Sequence, residues 1–243
     1  MTPLSIVIIT LNEEKRIGRL LEDLSKQSHQ QYEVIVVDSN SDDNTCEVAR
    51  GFEQALPSLA VHKMNQRGTS LGRNTGAQLA KYERLLFLDA DVRLSPTFLT
   101  NALYELESRK LEVAGSYMEA KDLSFSYKVG YALFNAGLFS TSFFFPTAVG
   151  ACTFSTKRVH NEIGGFDPSI ALCEDCDYAN RAAKTWRYRM IPVRFWFDPR
   201  RLEQDGFIKM GLTYMKANVR RFFMGEMRNK RMDCNCDHYT DAN

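Results

Sequence analysis

Neither sign of charge dominates this chain: 31 Lys and Arg stand against 30 Asp and Glu, a formal net charge of +1. Without a basic surplus, bulk electrostatics gives no case for nucleic acid as a partner. The 243 residues also lack a Gly/Ser linker, a low-complexity segment and an internal repeat, so one large domain is the better reading. No G-x-G-x-x-G follows the first apolar run, Ile6-Val7-Ile8-Ile9, which argues against a dinucleotide-binding dehydrogenase. That run is too short for a signal peptide and has no basic residue before it, so a cytoplasmic setting is expected. Cysteine is sparse and scattered: Cys46, Cys152, Cys173, Cys176, Cys234 and Cys236 read as reduced thiols rather than a disulfide framework. Cys173-x-x-Cys176 and the tail Cys234-x-Cys236-x-His238 match no standard zinc-finger spacing.

What is present is an ordinary globular composition, 44% hydrophobic and 25% charged, in a chain long enough to bury a sizeable core. Up to Asp91, strand and helix signals alternate. Leu4 to Thr10 is a β-rich apolar run, and Ile17, Leu20, Leu21 and Leu24 recur at the spacing of one helical face. Val34 to Val37 is a second apolar strand closed by Asp38. Ser41-Asp42-Asp43 can cap a helix that continues through Val48, Ala49 and Phe52. Leu59 to His62 fits a third strand, Gly68 to Lys81 a helix, and Leu85 to Leu88 a fourth strand. Ser95-Pro96 predicts an N-cap and first helical residue, with that helix running to Lys110, and Val113 to Tyr117 predicts another strand. Strands apolar throughout and separated by helices predict an α/β fold, a mostly parallel sheet with helices on both faces.

In such a sheet ligands sit beyond the carboxyl ends of the strands. Asp89-Ala90-Asp91 ends the fourth apolar run there. Two carboxylates at the mouth of a strand suit Mg²⁺ or Mn²⁺ and the phosphates such a cation bridges. Gly68, Gly72 and Gly76, four apart, share a helical face and permit close backbone approach to the sheet or to a ligand.

Six ordered motifs together carry a family likeness. They are Ser5-Ile-Val-Ile-Ile-Thr10-Leu-Asn-Glu-Glu14, Val36-Val-Asp38-Ser-Asn-Ser41-Asp-Asp-Asn-Thr45, Gly68-Thr-Ser-Leu-Gly-Arg73-Asn74-Thr-Gly76, Leu88-Asp89-Ala90-Asp91, Gly164-Gly165-Phe166-Asp167 and Glu174-Asp175-Cys-Asp177. In this order they resemble family 2 glycosyltransferases of the GT-A fold, over Met1 to about Gly206. The resemblance implies a Rossmann-like nucleotide-diphospho-sugar transferase domain over 1–206, its nucleotide-binding half at 1–95 and its acceptor half at 96–206. It also implies roles. Thr10, Glu14 and Asp38 would belong to the donor site, with Asp38 hydrogen-bonding the base, and Arg73 would touch the nucleotide. Asp89 would contact the ribose or metal-bound water, and Asp91 would ligate Mg²⁺ or Mn²⁺ directly. Glu174 or Asp175, the latter favoured, would be the general base that takes the acceptor hydroxyl proton, with inversion at the anomeric carbon. Arg200 and Arg201 would contact the donor diphosphate.

Local readings compete with these roles: Asp38 as a turn residue, Arg73 as a surface salt bridge, Glu174-Asp175 as partners of a helix dipole. The expected activity is an inverting transfer of one hexosyl or N-acetylhexosaminyl group, UDP-linked by preference, to a hydroxyl of a glycan or lipid-linked acceptor. The Q-x-x-R-W motif of processive relatives is absent, which points to one sugar at a time. A nucleotidyltransferase is the first rival, but it would want a glycine-rich basic loop where Leu11-Asn-Glu-Glu14 stands. A catalytically silent nucleotide- or glycan-binding protein is the second, and the intact Asp89, Asp91, Glu174 and Asp175 argue against it.

Two segments bear on a membrane. From Val129 to Thr156 no residue is charged, yet Asn135, Pro146 and several Gly, Ser and Thr residues dilute the hydrophobicity. Ordinary core, contact with a membrane surface or lipid, and a true membrane span are all open readings of it. Between Lys209 and Arg231 seven basic residues face the single acid Glu226. Residues 207–232 therefore read as a basic amphipathic helix, lying on an anionic bilayer or packed on the domain, followed by a polar tail at 233–243. Peripheral attachment at the cytoplasmic face of a membrane is part of the expectation.

Overall fold

A computed structural model describes residues 2–121, 123–170, 172–197, 220, 221 and 225. In chain order it contains β1 (Leu4–Thr10), α1 (Ile17–Ser25), β2 (Tyr32–Asp38), α2 (Thr45–Arg50), β3 (Leu59–Lys63) and α3 (Thr69–Leu79). There follow β4 (Arg84–Asp89), β5 (Val92–Arg93), α4 (Phe98–Ser108), β6 (Val113–Met118), α5 (Phe125–Thr141), β7 (Cys152–Thr156), α6 (Lys157–Glu162), α7 (Glu174–Ala182) and β8 (Tyr188–Phe197). The sheet order is β3-β2-β1-β4-β7-β6-β8-β5. Parallel pairs join β3 to β2, β2 to β1, β1 to β4 and β6 to β8. β7 runs antiparallel to both β4 and β6, and β5 to β8. The α/β architecture with a mostly parallel sheet is thus present, and only β5 and β7 run against the other strands.

Every position of β1 and β2 is buried, which is why their sequences are continuous rather than alternating. On one face Leu4, Ile6, Ile8, Val34, Val36, Leu86 and Leu88 pack with α1, α2 and α4. On the other, Val7, Ile35, Val37, Leu85 and Phe87 pack with α3, α5, α6 and α7. α1 has no side-chain cap, a deficit of about 1 kcal/mol. Its Ile17, Leu20, Leu21 and Leu24 are fully buried, each worth about 2 kcal/mol over exposure. Packing therefore decides that this helix forms.

α3 shows what the glycine spacing is for. A Cβ on Gly76 would collide with Val7 Cγ1, and one on Gly72 would press on Ile9 Cγ2 at 3.1 Å. The glycines let α3 lie directly on β1, which carries Arg73 to the carboxyl edge of the sheet. Register finishes that edge: Thr10 pairs with Asp38, and Ile9 with Asp89.

Three boundaries differ from expectation. The helix predicted from Ser95-Pro96 to Lys110 is α4, and it begins at Phe98 and ends at Ser108. The Ser95 and Pro96 carbonyls accept from Gln27 Nε2 (2.7 Å) and Ser28 N (2.8 Å), which ties this stretch to the end of α1 before a helix can start. The helix predicted through Phe52 is α2, only Thr45–Arg50; Asp43 Oδ1 accepts from the Thr45 amide (3.0 Å) and delays the first turn. The charge-free stretch is divided between α5, a turn and β7, and among the described residues no helix is long and apolar enough to cross a membrane. Cys46, Cys152, Cys173 and Cys176 are buried free thiols. Cys234, Cys236 and His238 lie outside the described residues, as does the 207–232 segment apart from Arg220, Arg221 and Gly225, and the 233–243 tail.

Candidate functional site

The carboxyl ends of β1 and β2 bring Thr10 and Asp38 into contact. Asp38 is fully buried, and its Oδ2 accepts from Thr10 Oγ1 (3.0 Å) and from Ser41 Oγ. Its Oδ1 accepts from the Ser41 amide (2.9 Å), so the carboxylate organises the turn that follows β2. Glu14 lies on the facing loop. Its Oε2 accepts from the Asn44 amide (3.2 Å) and side-chain Nδ2 (3.3 Å), while its own amide donates to Asp43 Oδ2 (3.2 Å). The Asn12 and Glu13 amides donate to Ser41 Oγ and Thr45 Oγ1, both at 2.8 Å, which stitches the two loops together. Ser39 Oγ is buried here without a hydrogen-bond partner among the described residues, and its hydroxyl lies 3.7 Å from where a Gly72 Cβ would stand. The Cys46 thiol beneath is pushed up to about 11 by burial and by the Asp38 carboxylate.

Next along the edge is a charge cluster centred on Arg73. Its side chain is 3% exposed, so it is no surface ion pair. Nη1 donates to Glu174 Oε1 (2.6 Å), and Nη2 donates to Asp89 Oδ1 (3.1 Å) and the Gly150 carbonyl (3.2 Å). The guanidinium also lies 5.1 Å from the Phe166 ring centroid. Burial alone would lower its pKa, but Asp89, Glu174 and Asp175 outweigh that and raise it. One arginine thus joins the end of β4 to the start of α7, engaging both Asp89 and Glu174.

Asp175, beside this cluster, behaves differently. Its Oδ1 accepts from the Cys176 amide (2.8 Å), and part of its surface stays open. Burial and the neighbouring Glu174 carboxylate push its pKa up to about 6, against the pull of Arg73, the Cys176 amide and Arg221. A carboxylate poised there can take a proton from a hydroxyl near neutral pH.

The donor set for a cation is restricted. Asp91 is 8% exposed, just beyond Asp89. Among the described residues no group of three or more His, Cys, Asp or Glu is assembled for a metal. One or two carboxylates, with no His or Cys, fit a hard cation that takes its other ligands from diphosphate and water, as Mg²⁺ and Mn²⁺ do. They do not fit structural zinc.

The Gly164-Gly165-Phe166 motif locks α7 in place. Asn74, next to Arg73, donates Nδ2 to the Phe166 carbonyl and accepts at Oδ1 from the Phe166 amide, both at 2.8 Å. Gly165 has φ +71°, and a Cβ on it would stand 2.6 Å from Asn74 Oδ1. Arg181, paired with Asp177 at 2.6 Å, donates to the Gly165 carbonyl at 2.8 Å. Phe166 stacks on Tyr178 with ring centroids 4.2 Å apart.

The structure therefore groups Arg73, Asp89, Glu174 and Asp175 in one cluster, with Asp91 just beyond Asp89 in the chain, and Thr10, Glu14 and Asp38 at the neighbouring strand ends. Arg200 and Arg201 lie outside the described residues. Sequence reading missed Gly150, where a Cβ would stand 2.9 Å from Arg73 Nη2 and 3.1 Å from Asp175 Oδ2. A lone glycine in an uncharged stretch gives no signal. It also gave no role to Asn74, although Asn74 stands in a quoted motif, and it counted Arg221 only among the basic residues of the 207–232 segment, whereas Arg221 is buried with its guanidinium 5.3 Å from the Phe145 ring centroid.

Comparison with known proteins addresses the fold and the family. The mannosyltransferase PcManGT from Pyrobaculum calidifontis, solved with GDP-Man and Mn2+, superposes with a TM-score of 0.70 at 20% identity, covering 88% of this chain and 64% of that one. S. aureus TarS in complex with UDP-GlcNAc gives 0.65 at 19% identity, covering 80% and 58%. At these identities they show the fold, which is that of the GT-A glycosyltransferases. In sequence, an uncharacterized glycosyltransferase of Bacillus subtilis (strain 168), YwdF, is 26% identical over 196 residues, 78% of this chain and 71% of that protein. The 4,4'-diaponeurosporenoate glycosyltransferase of Staphylococcus haemolyticus (strain JCSC1435) is 32% identical over 180 residues, 72% of this chain but only 45% of the relative. The family profile of glycosyl transferase family 2 matches residues 5–164, from β1 to the first glycine of the motif that Asn74 and Arg181 hold, and the chain belongs to that family.

Proposed function

We propose that this protein is an inverting glycosyltransferase. It moves a single hexosyl or N-acetylhexosaminyl group from a nucleotide-sugar donor, UDP-linked by preference, to a hydroxyl of a glycan or lipid-linked acceptor. The observation that carries this reading is the division of labour in the acid pair: Arg73 engages Glu174, while Asp175 is left with a pKa raised to about 6. Asp175 accepts the acceptor hydroxyl proton as that oxygen attacks the anomeric carbon, and the single displacement inverts it. Arg73 holds Glu174 and Asp89 so that the base faces the donor from a fixed angle. Asp91, with Asp89 beside it, would hold Mg²⁺ or Mn²⁺, which when bound offsets the charge that builds on the departing diphosphate.

Thr10, Glu14 and Asp38 frame the base end of the donor site. The Ser39 hydroxyl, without a partner among the described residues, supports a ligand there, because a buried hydroxyl gains from a bond it otherwise lacks. Arg200 and Arg201 are assigned to the diphosphate by sequence resemblance. The ligands in TarS (UDP-GlcNAc) and PcManGT (GDP-Man and Mn2+) support a nucleotide-sugar donor and a divalent cation. Peripheral attachment at the cytoplasmic face of a membrane belongs to the same reading.

Thermal melts against a panel of nucleoside diphosphates, with and without Mn²⁺, test it. UDP with Mn²⁺ should raise the melting temperature of the wild type by mass action. In Asp91→Ala that Mn²⁺-dependent part should vanish. A full Mn²⁺-dependent shift in the variant would remove Asp91 from the cation site.

A further inference from the structure

We propose that α5 and the turn after it dock this protein onto the surface of an anionic lipid bilayer, presenting the Asp175 side of the cleft to acceptors held at that surface. The inference deepens the membrane-attachment part of the proposed function by assigning it a surface and a lipid class.

Six of the exposed large hydrophobic side chains among the described residues lie on this one element and its turn. They are Phe125 (81% exposed), Val129 (42%), Leu133 (70%), Phe139 (54%), Phe143 (55%) and Phe144 (72%). At 3.6 residues per turn the four on the helix share the face opposite Tyr131 and Leu138, which are buried against the domain. Alanines and a serine fill the gaps between them, and the single charged residue of the helix, Lys128, is basic. A contiguous apolar face of this kind marks a binding surface rather than ordinary exposure.

Charge selects the occupant. At one end Lys121 Nζ sits 4.0 Å from the Trp196 ring centroid, and at the other the Arg189 guanidinium sits 4.5 Å from that of Phe143. Arg194 is exposed further along the same strand, and Arg187 is exposed just before it. Burial together with the charges of Arg187 and Arg109 lowers the Arg189 pKa, as expected where cations crowd. An apolar face rimmed by cations matches an acyl boundary beneath anionic headgroups. A second copy of this chain fits less well, because a two-fold contact through this face would set one basic rim against another.

The surface is also wired to the chemistry. Asn180 on α7 donates to the Pro146 carbonyl (2.7 Å) and Cys176 Sγ to the Ala148 carbonyl (3.5 Å), just past Phe143 and Phe144. The same turn ends at Gly150, against which Arg73 and Asp175 pack. Docking through α5 therefore places the general base next to the headgroup layer.

Vesicle flotation tests the inference without donor or acceptor, so its failure leaves sugar transfer standing, and the reverse holds too. Wild-type protein should float with vesicles of phosphatidylcholine mixed with phosphatidylglycerol, weakly with phosphatidylcholine alone, and less in high salt. Leu133→Ser/Phe139→Ser/Phe144→Ser should weaken flotation at least about tenfold with an unchanged melting temperature. Arg187→Glu/Arg194→Glu should lose the preference for anionic vesicles. Absence of wild-type flotation, or full retention in the serine variant, would overturn the proposal. So would a lipid-free dimer that the serine variant abolishes in a protein that never floats.

Discussion

At the scale of single residues, Arg73 is the side chain on which the site depends. Three carboxylates surround a guanidinium that is almost wholly buried, and their geometry rests on its two-pronged reach to Glu174 and Asp89. Arg73→Ala should destabilise the fold by about 3 kcal/mol, because it leaves a cluster of partly buried acids without their buried counter-charge. Denaturant melts measure that loss. The same substitution removes a group that lowers the Asp175 pKa, so the acidic limb of any residual activity should move above about 6. Arg73, Asp89, Glu174 and Asp175 were all legible in the sequence, because each is a charged residue inside an ordered motif. Gly150 was not, because its role is to have no side chain where Arg73 and Asp175 pack, and only the folded chain reveals that requirement. The sequence also left open whether Gly72 and Gly76 approach the sheet or a ligand, and Val7 and Ile9 now answer for the sheet.

Among elements, α7 carries Asp175, the proposed base, and is held by aromatic and polar contacts rather than by a cap. Its first residue follows Cys173, which has φ +65° and makes no side-chain cap bond. Support comes from Tyr178, stacked on Phe166 and hydrogen-bonded to Ser155 Oγ at 2.7 Å, with His160 buried alongside. Burial lowers the His160 pKa to about 4 from 6.5. The unfolded chain therefore takes up a proton below about 6.5 that the folded chain refuses until about 4. This contribution to stability is complete above pH 6.5 and is lost as pH falls toward 4, by about 3 kcal/mol in all. Urea melts across that range should show the decline, and His160→Gln should flatten it.

β1 to β4 were legible because they are buried on both faces and so read as uninterrupted aliphatic runs. β7 was not, since its Cys-Thr-Phe-Ser-Thr sequence looks like a surface strand. It is buried because its hydroxyls find partners inside, Ser155 with Tyr178 and Thr153 with the Val149 carbonyl (3.2 Å). β8 hides its pattern behind Pro192 and two arginines, Arg189 and Arg194, which interrupt its apolar run.

For the molecule as a whole, two functions are assigned to two neighbouring regions. In the proposed function the strand ends of β1, β2 and β4 would supply the donor side, and the start of α7 with the turn after α5 would supply the acceptor side. Arg73 joins the end of β4 to the start of α7, so one side chain would set both geometries. The central claim is that Asp175 is the base, and it is tested most directly by transfer rate against pH, with UDP affinity measured in parallel. The wild-type rate should rise with pH through an apparent pKa of about 6. Asp175→Asn should remove at least about a hundredfold of that rate while binding UDP and Mn²⁺ as the wild type does. An Asp175→Asn protein that transfers sugar at the wild-type rate with the same pH profile would contradict the account.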